Sequence, residues 1–159
     1  MKETINIRKG IFETNSSSCH SITIADSVEL LESLYVDQNG SITLEGGQFG
    51  WQWEKYNDAL TKANYAAVFA VEIKKNTDLL VEVLKEHTGA KEIVFNFSSE
   101  YGDDRKGKPW AYIDHDSAHV ASDAFVDKES LKNWIFNPKS WLFLGNDNNN
   151  APPNFYLKL

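Results

Sequence analysis

The chain has 159 residues and a mass of 18.0 kDa, with 42% hydrophobic and 25% charged residues, which excludes a disordered tail, a collagen, a coiled coil or a disulfide scaffold. That length suits one domain around one core. Sixteen Lys and Arg against 23 Asp and Glu leave a net charge of −7, spread as 7 against 11 in residues 1–80 and 9 against 12 in residues 81–159, so neither half supplies a basic face and no direct nucleic-acid binding is expected.

Residues 6–12 alternate loosely and read as a first strand. A polar run over 14–18 follows, and Ile22 and Ile24 then alternate with small hydroxyl residues as in a half-buried strand. Asp26 or Ser27 with Glu29 resembles a capping box and predicts a helix carrying Val28, Leu31 and Leu34 on one face. Beyond the Asn39-Gly40 turn, residues 41–45 and 49–53 read as two strands of a hairpin around Gly46-Gly47. Ala-rich residues 55–73 read as a helix, with a strand over 66–73 as the alternative. Asn76 or Thr77 caps a second helix over 78–87, ended by Gly89. Residues 91–97 form the strongest strand, expected on the inside of a sheet because its apolar run is continuous.

A charged loop over 98–109 leads to a short strand at 110–113. Asp127 or Lys128 opens a helix that Asn137-Pro138 stops, with Trp134 and Phe136 expected not to be both exposed. Residues 140–144 read as a strand, 145–151 as a polar loop, and the last residues as an extended segment. Trp51 and Trp53 are expected to share one face of their strand, over the core or an interface. The pattern predicts a single α+β domain over residues 1–159, with a mixed β-sheet and three to four packed helices.

Neither a signal peptide nor a membrane span is read from the chain, and no membrane partner is expected. Cys19 is the only cysteine, which excludes an internal disulfide or a Cys-cluster metal site. A cytoplasmic protein is the simple reading.

Two segments concentrate chemistry. In the first, Asn15, Ser16, Ser17, Ser18 and His20 offer hydroxyls, an amide and an imidazole that suit an anion or polar ligand, or a Ser nucleophile with His20 as base. The bland alternative is a turn whose side chains bond their own backbone. In the second, Asp114, His115, Asp116, Ser117 and His119 follow a strand. Asp114 and Asp116, with Asp147 from the Asn-rich loop, are candidate ligands for Mg²⁺ or Mn²⁺. His115 and Ser117 are candidates for ligand contact, and a surface turn is again the alternative. No complete catalytic signature and no rigid zinc pattern is present, and the primary reading has no cofactor.

The phrase Arg8-Lys9-Gly10-Ile11-Phe12-Glu13-Thr14-Asn15-Ser16-Ser17-Ser18-Cys19-His20-Ser21 resembles the opening of a group of small uncharacterised bacteriophage and prophage-type proteins. Those proteins share a basic residue, Gly, a β-branched residue and Phe, then Glu-Thr-Asn-Ser-Ser-Ser, a variable residue, His and Ser. The resemblance implies a phage-type accessory protein in the host cytosol and places Asn15, Ser16, Ser17, Ser18 and His20 in the shared feature. Cys19 falls on the variable position. The expected function is binding of a protein or a small polar ligand. The alternative is a metal-dependent or serine-dependent hydrolase acting on a phosphorylated or nucleotide-like small molecule.

Overall fold

The central helix of the protein is buried on nearly every side. Asp58 caps it by accepting from the Thr61 amide at 2.8 Å. Its Ala63, Ala66 and Ala67 lie fully inside with Tyr65 and Val68, because small side chains let neighbouring backbones come close.

A computed structural model describes residues 5–8, 20–25, 30–114, 119–146 and 150–156. In chain order its elements are β1 (Ile5–Arg8), β2 (Ser21–Ala25), β3 (Ser41–Leu44), β4 (Gln48–Phe49), β5 (Glu54–Tyr56), α1 (Ala59–Phe69), α2 (Asp78–Thr88), β6 (Glu92–Phe95), β7 (Tyr112–Ile113), α3 (His119–Ser122), α4 (Lys128–Phe136) and β8 (Trp141–Leu144). A π-helical turn, Ala70–Lys74, continues α1. β1, β2, β8 and β5 form an antiparallel sheet in that order, β3 pairs with β6 in parallel, and β4 with β7 in parallel. α1 packs against α4, β3 and β7, and α2 against α4 and β6. The result is a single α+β domain with a mixed, non-barrel β system and packed helices. Among the described residues, no helix is long and apolar enough to cross a membrane.

Several expectations are met closely. α2 begins after Asn76 and Thr77, with the Asn76 side chain accepting from the Asp78 amide, and ends on left-handed Gly89. α4 begins on Asp127 and ends before Pro138, and both Trp134 and Phe136 are fully buried.

Others are corrected. Residues 30–37 form no helix, because their polar groups pair with distant elements: the Glu32 amide donates to the Phe136 carbonyl at 2.7 Å and His87 Nε2 donates to the Glu32 carbonyl at 2.7 Å. Glu32 also accepts, at its carboxylate, from the Ala59 amide at the start of α1. The capping residues expected at 26–29 lie outside the described residues. β3 and β4 are not a hairpin, since each pairs with a strand from the second half. The Gly46 amide donates to the Asn64 side chain at 2.9 Å, and both Gly46 and Gly47 have positive φ, so the chain steps from one parallel pair to the next.

The helix expected from residue 55 starts at Ala59, because Glu54–Tyr56 pair with β8; the strand alternative over 66–73 does not occur. β6 is a strand but not an inner one. Among the described residues it has a single partner, and Ile93, Val94 and Phe95 are only half-buried. Trp51 and Trp53 lie outside any strand and meet different neighbours. Residues 153–156 form a turn, not an extended end. The first strand is described only over Ile5–Arg8.

Candidate functional site

His20 stands immediately before β2 and Asp114 immediately after β7. Parallel pairing delivers Asp114 to its place, because its amide donates to the Phe49 carbonyl at 2.7 Å, one residue before Gly50. Gly50 has φ +99°, and a Cβ added there would stand 2.6 Å from His20 Nε2 and 3.1 Å from Asp114 Cβ. Two polar positions 94 residues apart (114 − 20) therefore meet over a single glycine. The end of β8 reaches the same place, where the Asn146 side-chain amide donates to the Trp51 carbonyl at 3.0 Å.

The floor beneath is aromatic. His20 Nδ1 is hydrogen-bonded to the Tyr65 hydroxyl at 3.1 Å. The Tyr65 ring meets Phe49 edge-on at 5.1 Å and Trp134 at 6.1 Å. Tyr65 is 0% exposed, His20 2% and Asp114 8%, so the junction is internal. Burial, with the nearby charge of Glu72 second, pushes the Tyr65 hydroxyl well above its ordinary pKa and keeps it protonated. At the rim, Trp51 is 48% exposed and stacks on Tyr112 at 6.0 Å, and Tyr112 stacks on Trp110 at 5.3 Å.

Of the residues singled out from the sequence, His20 and Asp114 are described, and the structure brings them together. Asn15, Ser16, Ser17, Ser18, His115, Asp116, Ser117 and Asp147 lie outside the described residues, as does Cys19; nothing is described of the His119 side chain. His20, Asp114 and Asn146 are the described residues from which those three segments continue. Among the described residues, no group of three or more His, Cys, Asp and Glu is placed to hold a metal ion. The chain matches no protein-family model, and comparison with curated proteins and with solved structures gives no significant match.

Tyr65, Gly50 and Asn146 were not singled out from the sequence. Gly50 carried a usable signal, because an isolated glycine within a strand-like aromatic run marks close backbone approach. Tyr65 carried none, since a tyrosine in an Ala-rich helix reads as core.

A separate groove of about 490 Å³ lies between α2 and α4, lined by Val83, Glu86, His87, Lys128, Glu129 and Lys132. Its charges are matched internally: Lys128 bridges Glu82 and Glu86, and Lys132 pairs with Glu129 at 3.0 Å. His87 is held by the Glu32 carbonyl and stacks on Phe136 at 3.9 Å.

Proposed function

We propose that the protein is a small accessory protein of the phage type, acting in the host cytosol, that binds a small polar ligand where His20, Gly50, Asp114 and Asn146 converge. The observation that carries this reading is the meeting of His20 and Asp114 across Gly50. Each polar segment alone is more simply a turn, whereas flanks fixed at one point give their side chains a shared target. In this reading His20 and Asp114 form the buried floor, while Asn15, Ser16, Ser17, Ser18, His115 and Ser117 supply the contacts. The half-exposed Trp51 ring beside Gly50 adds a flat apolar wall, which suits a ligand with a ring. A phosphorylated ligand requires Mg²⁺ or Mn²⁺ at Asp114, Asp116 and Asp147, or a nearby Lys or Arg, because uncompensated carboxylates repel phosphate.

The same meeting of His20 with Asp114 favours a second reading, a hydrolase of phosphorylated or nucleotide-like small molecules. Calorimetric titration of nucleosides and nucleotides, each with and without Mg²⁺ or Mn²⁺, tests the site in wild type and in a Ser17→Ala, His115→Ala double variant. Saturable binding to wild type, weakened at least about tenfold in the variant, is the expected result. No binding to wild type, or equal affinity in both, defeats the shared site and leaves protein–protein interaction as the function. Release of product from a bound nucleotide selects the hydrolase.

A further inference from the structure

We infer that Tyr65 fixes His20 in the tautomer protonated at Nε2, so that His20 meets the Gly50–Asp114 junction as a hydrogen-bond donor and not as a base. Its meaning for function rests on the ligand site proposed above; the tautomer itself rests on the buried contact between Tyr65 of α1 and His20.

The Tyr65 hydroxyl is fully buried, and among the described residues its hydrogen-bond partner is His20 Nδ1, at 3.1 Å. A phenol has one proton to place. Buried, an O–H without an acceptor loses its only donated bond, whereas an oxygen that donates and accepts nothing leaves just a lone pair unused. The hydroxyl therefore donates and Nδ1 accepts. Burial and the charge of Glu72 oppose ionisation of Tyr65, so the proton is retained. A neutral imidazole that accepts at Nδ1 carries its hydrogen on Nε2.

The ring edge bearing that hydrogen is the one turned to Gly50: Nε2 and Cε1 lie 2.6 and 2.9 Å from the position a Cβ would take there. A base at this edge needs a lone pair on Nε2, which the tautomer does not leave. His20 is thus unsuited to activate a serine or a water through Nε2, and the serine-dependent form of the hydrolase reading loses its base. At the junction this donor serves an oxygen. A ligand that engages His20 does so through a carbonyl, carboxylate or hydroxyl oxygen. Tyr65 is the positioning residue that sets this polarity.

Long-range ¹H–¹⁵N correlation spectroscopy of the full chain at about pH 8, above the ordinary imidazole pKa, reads the tautomer directly. His20 is assigned by difference against His20→Asn. The expected spectrum has a pyridine-like Nδ1 and a pyrrole-like Nε2, and Tyr65→Phe converts the single tautomer into a mixture. A wild-type His20 protonated at Nδ1, or an unchanged tautomer in folded Tyr65→Phe, overturns the inference. Should Tyr65→Phe not fold, the wild-type spectrum decides alone. The measurement needs no ligand, so failed calorimetry defeats the binding site and leaves the tautomer standing, while a wrong tautomer leaves binding intact.

Discussion

Lys62 sets charge against burial inside α1. Its side chain is fully buried and its ammonium donates to the Asn137 carbonyl at 2.8 Å and the Ser140 carbonyl at 2.9 Å, tying α1 to the turn after α4. Desolvation lowers its pKa to about 7, and the carboxylates of Glu32 and Asp58 oppose that fall. Because the folded pKa lies below the unfolded one, the unfolded chain binds more protons between about pH 7 and 10.5, and stability rises with pH across that window. Urea titrations at pH 7 and pH 9 are expected to show wild type gaining up to about 1.4 kcal/mol per pH unit relative to Lys62→Met. Equal pH dependence in the two proteins would contradict this assignment. Gly50 gives the second prediction at this scale. Gly50→Ala combines a left-handed backbone with a collision against His20, and is expected to cost about 2–5 kcal/mol. Gly89→Ala has a similar φ but open space around its Cβ, and should cost only about 1–2 kcal/mol. Chemical denaturation of the pair separates backbone strain from close packing. The burial of Lys62 was legible in principle: Tyr65, Ala66 and Phe69 follow it at helical spacing on the apolar side. Its carbonyl partners were not, since they lie more than 70 residues away.

At the level of elements, α2 and α4 were read accurately, whereas the helix expected before residue 37 and the strand partners were not. α4 shows why. Asp127, Ser130 and Asn137-Pro138 mark its ends within a few residues, and Leu131, Trp134 and Ile135 repeat at the helical period. Trp134 is completely buried, its indole N–H donates to the Trp141 carbonyl at 3.3 Å, and its ring meets Tyr65. Trp134→Ala is therefore expected to destabilise the protein by about 3–5 kcal/mol in urea titration, with a loss below 1 kcal/mol refuting its central place. The hairpin expected around Gly46-Gly47 fails for a complementary reason. Glycine-rich turns permit antiparallel return, but they permit an offset step equally well, and the choice fell to β6, 48 residues beyond β3 (92 − 44), and β7, 63 beyond β4 (112 − 49). Residues 30–37 illustrate the same competition. Their apolar spacing suited a helix, yet Glu32 spends its backbone and side-chain groups on α1, α2 and α4.

Across the whole molecule, one apolar cluster joins members of all three sheets to the helices: Ile22 and Leu142 from the antiparallel sheet, Leu44 from β3, Ile113 from β7, and Ala66, Leu84 and Trp134 from α1, α2 and α4. No sheet can be removed without opening that cluster. Thermal or urea unfolding is accordingly expected as a single cooperative transition, with tryptophan fluorescence and far-ultraviolet circular dichroism giving coincident curves. Separate midpoints would show that the two-stranded pairs melt apart from the antiparallel sheet.

By itself the sequence determined the class of the fold, the ends of α2 and α4, the strand character of β2, β6 and β8, and the chemical richness of the segments around His20 and Asp114. Each depends on interactions within a few residues: caps, turn glycines, periodicity and side-chain type. The tertiary structure alone decided that β3 and β4 turn to parallel partners, that residues 30–37 give up a helix, and that His20 and Asp114 meet over Gly50. These outcomes depend on which distant groups satisfy one another in the interior. Local spacing contains no term for a carbonyl or a hydroxyl that only folding brings within 3 Å or so.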